Sequence, residues 1–174
     1  MPNYWKSGMR ITAARANRIL PIPVRKLVAS TRVATTAEVA DSELVLPLLA
    51  NTNYLVQGGY LISGPDAGGD FKYGWEWTGT MTVIMGGIGP VDTIASGSSG
   101  SGQFAWAAVD TSSPSASISF AASATGLNAQ AQAWVEVGAT AGNLSLRWAQ
   151  LSASGTTTLN VGSWLLATPH GFNS

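Results

Sequence analysis

The chain has 174 residues, 45% of them hydrophobic and only 10% charged, with a mean hydropathy of +0.17. That length suits one domain, or one domain with an appended segment, and it supplies enough apolar material for a core. A charged fraction so far below the usual value of about 25% points to an oligomer or lattice component rather than a lone domain with a Ser-, Thr-, Gly- and Asn-rich surface. The absence of cysteine excludes disulfides and thiolate metal sites.

No apolar run approaches the roughly 20 residues of a membrane span. The opening MPNYWKSGMR lacks the apolar stretch of a secretory signal. A protein made in the cytoplasm, with no membrane partner, is expected.

The net charge of zero hides a division along the chain. Residues 1–36 carry seven bases (Lys6, Arg10, Arg15, Arg18, Arg25, Lys26 and Arg32) and no acid. The rest holds two bases, Lys72 and Arg147, against nine acids, a net of −7. Such segregation marks a basic segment that meets an anionic surface. Three partners compete: nucleic acid through its phosphates, an acidic protein surface, or the chain's own acidic domain or that of a sister subunit. The bases alternate with apolar residues (Ile11, Ile19, Leu20, Ile22, Val24) rather than forming dense runs with aromatics. That favours a protein partner and disfavours nucleic acid. Lys6, Arg10, Arg15, Arg18, Arg25 and Lys26 are the expected partner-binding residues.

Within this segment Thr12 is a helix N-cap before AARANRIL, and Pro21 and Pro23 stop the helix. About two turns long, it needs a surface to order it. From Lys26 the pattern changes to period two, with a strand over Lys26–Val33. Further strands are expected around Leu44–Leu46, Tyr54–Ile62, Phe71–Trp77 and Met81–Met85. In Phe71–Trp77 the aromatics alternate with Lys72, Gly74 and Glu76, a two-faced strand. The later strands are Gln103–Ala108, Ser115–Phe120, Ala129–Val137, Leu144–Leu151 and Ser163–Ala167. Turn signals fall at Gly64–Gly69, Gly86–Pro90, Gly97–Gly102, Gly138–Asn143 and Ser152–Gly155. Eight to ten short strands predict an all-β antiparallel sandwich, or jelly roll, over residues 37–174, behind a basic arm over residues 1–36.

Catalytic chemistry is hard to assemble from this inventory. His170 is the one histidine and has no partners for a triad or a zinc site. Asp66 and Asp70 sit in a Gly-rich loop that suits turn hydrogen bonds better than calcium. Glu76 alternates away from the aromatics, onto a solvated face rather than into a glycosidase pair. GGIGPVD lacks the context of a phosphate-binding loop and reads as β-turn. Seven tryptophans (Trp5, Trp75, Trp77, Trp106, Trp134, Trp148, Trp164) invite a carbohydrate reading, but their spread over the strands favours core and interface. No enzyme, cofactor or metal is expected.

Two stretches carry a family resemblance. Gly8-Met-Arg-Ile-Thr-Ala-Ala-Arg-Ala-Asn-Arg-Ile-Leu-Pro resembles the N-terminal segment of small virion proteins in tailed phages of actinobacteria, with Ala16 where that pattern has Leu. Leu144-Ser-Leu-Arg-Trp-Ala-Gln-Leu, then a Thr-rich turn and Val161-Gly-Ser-Trp-Leu, resembles the closing strands of their β-sandwich. The same stretch is similar to trimeric jelly rolls of the C1q and tumour-necrosis-factor type. The resemblance implies placement rather than chemistry: a homotrimer on the virion surface, held by its N-terminal arm to the major capsid protein or another virion protein. Capsid decoration is the first expectation, since no fibre shaft is present. A tail fibre or tail tip that binds a receptor or cell-wall carbohydrate is the alternative.

Overall fold

The computed structural model describes Arg10, Thr12 and residues 19–64, 70–90, 104–111, 117–120 and 126–172. The helix expected after Thr12 lies outside them, as do Lys6, Arg15 and Arg18. Among the described residues the chain is all-β and antiparallel, with no helix. Its twelve strands are β1 (Ile22–Arg25), β2 (Ser30–Val33), β3 (Val39–Leu48), β4 (Thr52–Ser63), β5 (Phe71–Trp77), β6 (Met81–Pro90), β7 (Phe104–Thr111), β8 (Ser117–Phe120), β9 (Leu127–Val137), β10 (Gly142–Gln150), β11 (Thr156–Leu159) and β12 (Trp164–Phe172).

They form two sheets. The larger runs β1-β12-β4-β9-β6-β7, with β11 pairing β4 and β2 pairing β11; the smaller runs β3-β10-β5-β8. Among the ladders that join strands far apart in sequence, four pair β1 with β12, β3 with β10, β4 with β9, and β5 with β8. They are nested, each inside the previous one. β6 and β7 form a hairpin at the innermost point of the nest, and β6 joins the larger sheet through β9.

Period two decides which side chains are buried. In β9, Ala129, Ala131, Ala133, Val135 and Val137 point inward while Gln130 and Glu136 are exposed. In β5, Phe71, Tyr73 and Trp75 point inward and Glu76 outward. The inner faces meet through aromatic rings. Tyr60 of β4 lies 5.2 Å from Tyr73 and 5.9 Å from Phe71 of β5, centroid to centroid, so the two sheets share one core.

Three expectations change. Of the strand expected over Lys26–Val33 only Ser30–Val33 forms, as β2, and a further strand, β1, precedes Lys26. The stretch between them is not a strand because Lys26 turns into the protein and the next two amides find a carboxylate instead of a ladder. The Thr-rich turn is β11: Thr156-Thr-Thr-Leu inserts between β2 and β4, where branched side chains fit a pleated surface. Gly86–Pro90, expected as a turn, continues β6.

The reason for the last change lies in the opposite sheet. A Cβ at Gly87 would stand 2.5 Å from Tyr73 Oη and 2.9 Å from Phe120 Cζ, and the Tyr73 hydroxyl donates to Gly86 O at 2.9 Å. Glycine here makes room for a ring rather than for a turn. Gly87→Ala is expected to cost about 1–3 kcal/mol by overpacking, read from urea unfolding. A loss below about 0.5 kcal/mol, within the ordinary range for surface substitutions, would show that the ring is free to move aside.

Candidate docking surface

The basic residues expected to bind a partner are placed unequally. Arg10 is exposed, and Arg25 is exposed on β1 at the edge of the larger sheet. Lys26, the next residue, is only 2% exposed. Its Nζ donates to Asp41 Oδ2 at 2.6 Å and to Glu43 Oε2 at 3.3 Å, both on β3 of the smaller sheet. Lys26 is therefore spent inside the fold, and the chain's own acidic domain is its partner.

The surrounding bonds make this pair a clasp. Asp41 also accepts the Ser30 hydroxyl at 3.1 Å and the amides of Glu43 and Leu44 at 3.0 and 3.2 Å. Glu43 accepts the amides of Leu27 and Val28 at 3.0 and 3.2 Å. The four residues between β1 and β2 are thereby pinned to the other sheet. Burial alone would raise the Asp41 carboxyl, but the bond from Lys26, the Glu43 amide and the Lys26 charge together hold it below its ordinary value. The Leu27 amide is the largest influence on Glu43, with further help from Val28 and Lys26, and its carboxyl is likewise lowered.

Arg32 also turns inward. Its guanidinium sits 4.8 Å from the centroid of the Trp148 ring, and Nη2 donates to Val39 O at 3.4 Å. Both bases that follow residue 36 meet Glu38: Arg147 Nε at 2.8 Å and Lys72 Nζ at 4.0 Å. Sequence reasoning counted Lys26 with the outward-facing bases. Its burial was signalled only by Asp41 and Glu43, two acids spaced i, i+2 in a strand and far away in sequence.

The residues weighed for chemistry stay apart. Glu76 is exposed. His170 is exposed and its ring lies 5.5 Å from that of Trp134. Asp66 lies outside the described residues. Among the described residues no group of three His, Asp or Glu is placed to hold a metal ion, and no helix is long and apolar enough to cross a membrane. A depression on the outer face of the larger sheet, lined by Gln57, Ile88, Gln130, Ala131 and Gln132, has a volume of about 60 Å³, room for about two waters.

The tryptophans divide by strand face. Trp75 and Trp148 are in the core, Trp77 packs against it, and Trp134 is half-buried. Trp164 is 41% exposed. It lies directly opposite Gly59 in the ladder, where a Cβ would stand 2.5 Å from its Nε1 and 2.9 Å from its Cε2. One side of this indole therefore rests on the β4 backbone and the other meets solvent.

No family model, curated protein or solved structure matches the chain.

Proposed function

We propose that the chain is a non-enzymatic structural protein of a phage virion, set on the head surface as a capsid decoration protein. Its β-domain is a trimeric jelly roll, and its basic N-terminal segment docks on the acidic surface of the major capsid protein or a neighbouring virion protein. The observation that carries this reading is the nested set of ladders. Take the eight strands β1, β3, β4, β5, β8, β9, β10 and β12 in order. They pair first with eighth, second with seventh, third with sixth and fourth with fifth. A long antiparallel ribbon rolled into two sheets has this pairing, the pattern of a jelly roll.

The place where the basic segment joins the fold agrees with an anchoring role. It runs into β1, an edge strand whose Arg25 is exposed. Arg10 and Arg25, with Lys6, Arg15 and Arg18, are the proposed contacts. Lys26 is withdrawn from that set, because its ammonium is already paired inside the protein.

A truncation tests the anchor, and the structure says where to cut. Removing residues 1–36 would delete β1, β2 and Lys26, and so confuse docking with folding. Removing residues 1–18 leaves every strand of the described residues intact. The shortened protein is expected to keep its melting temperature and its number of subunits but to lose binding to particles stripped of this chain. Intact particle binding would refute the arm as anchor. Trp164 favours a second reading, a tail tip that stacks a cell-wall sugar on the open face of its indole. Quenching of tryptophan fluorescence by such a polysaccharide, abolished by Trp164→Ala, would support it.

A further inference from the structure

We propose that the outer face of the larger sheet is the surface through which copies of this chain pack against one another. The proposal rests on the assembly part of the reading above and names the surface responsible. In β1, β12, β4, β9 and β6 the alternation that fills the core sends a second set of side chains outward. Four large apolar ones stand open on three different strands: Trp164 on β12 (41% exposed), Leu61 on β4 (39%), and Ile84 and Ile88 on β6 (46% and 40%). Trp164 is held flat on Gly59, so its apolar surface is displayed without the entropy of a free side chain.

Between these residues lie three glutamines. Gln57 pairs with Gln132 across β4 and β9, Gln130 lies opposite Gly59 on one side and Ile88 on the other, and Gln132 is opposite Gly86. Among the described side chains of β1, β12, β4, β9 and β6, this face holds only two charges. They are Arg25 on the edge strand and Glu136 toward the far end of β9. Five strands spaced about 4.8 Å apart and about eight residues long present roughly 600 Å², close to the roughly 800 Å² that each partner gives to a stable interface.

Three features select a second copy as the occupant. A side-chain amide both donates and accepts, so a glutamine cluster can satisfy the same cluster on another copy. A neutral centre brings no like-charge repulsion when the same face of neighbouring copies converges about a shared axis, and the Arg25 and Glu136 margins are of opposite sign. An acidic capsid surface would find almost no cation here, whereas the N-terminal segment offers several. A sugar ring needs one aromatic and a few polar groups; it does not account for aliphatic side chains left open across the sheet. Large apolar side chains left open on three strands of one face suit a protein contact, and they fit the low charge of the whole chain.

The test uses the full chain and two single variants, Ile84→Lys and Ile88→Lys. Both positions are exposed, so the fold is expected to tolerate lysine. Ser117→Lys, exposed on the smaller sheet, is the control. Light scattering on the purified protein is expected to give a multiple of the 18.0 kDa chain mass for the parent and Ser117→Lys. The two isoleucine variants are expected to fall to the monomer mass with unchanged circular dichroism and melting temperature. A monomeric parent would overturn the proposal. An oligomer that survives both isoleucine variants would also overturn it while leaving assembly through another surface standing. Particle binding by each variant is scored separately, so failure of the interface and failure of the virion reading are told apart.

Discussion

Asp41→Ala is expected to lower the free energy of unfolding by about 3–5 kcal/mol, and the melting temperature by about 10 °C for a domain of this size. The loss arises because the substitution strands a buried cation. Lys26 Nζ would keep only Glu43, at 3.3 Å, in place of the 2.6 Å bond to Asp41. The Ser30 hydroxyl and the Leu44 amide would lose an acceptor as well. Since the clasp ties the β1–β2 bend to β3, hydrogen exchange is expected to quicken first in residues 22–33. Calorimetry and denaturant unfolding read the magnitude. A loss under about 1 kcal/mol would mean that Lys26 finds water or another carboxylate, and that the clasp contributes little.

The same carboxylates set a pH dependence. Both Asp41 and Glu43 ionise more readily in the folded protein than in the unfolded chain. A lowered folded value means that the unfolded state binds more protons as the pH falls, so stability falls with it. The contribution is fully present above the unfolded carboxylate range, near pH 4, and is lost as the pH drops below it through the folded values. Asp41→Ala is expected to flatten this acid limb of the stability curve. A limb of unchanged slope in the variant would assign the acid sensitivity to other groups.

Trp148→Ala is the second large effect, expected to cost about 3–5 kcal/mol. Trp148 lies on β10 with no exposed surface. Its ring stacks on Phe71 of β5 at 5.6 Å and an interplanar angle of 30°, and its other neighbour is the Arg32 guanidinium of β2. Truncation would open a cavity between strands of both sheets and remove the surface over which Arg32 is held. Loss of near-ultraviolet circular dichroism should accompany the drop in denaturation midpoint. Trp164→Ala is the informative contrast, because that ring is on the outer face: its removal should cost less stability and act on association instead.

The contrast between the two tryptophans shows how far local pattern reaches. Period two assigned Phe71, Tyr73 and Trp75 to one face and Glu76 to the other, and the structure agrees, because alternation across a strand is a property of consecutive residues. It placed most strands for the same reason. The division of charge was equally legible, since it needs only the order of residues. Fold class, absence of cysteine and the scarcity of charge follow from the sequence by itself. Pattern also shows that few titratable groups are available for chemistry.

Tertiary structure decided the rest, wherever a residue's role depends on a neighbour remote in sequence. Gly86–Pro90 has the composition of a turn, yet Tyr73 and Phe120 press on it from the other sheet, and only that contact makes Gly87 a strand residue. Thr156–Leu159 was read as a turn because its partners, β2 and β4, are about 100 residues away or more. Lys26 looked like its basic neighbours until Asp41 and Glu43 were brought beneath it. Whether an aromatic, a glycine or a cation faces core or solvent is settled by the opposing sheet, and the pairing that positions that sheet is non-local, with no trace in the order of residues along one strand.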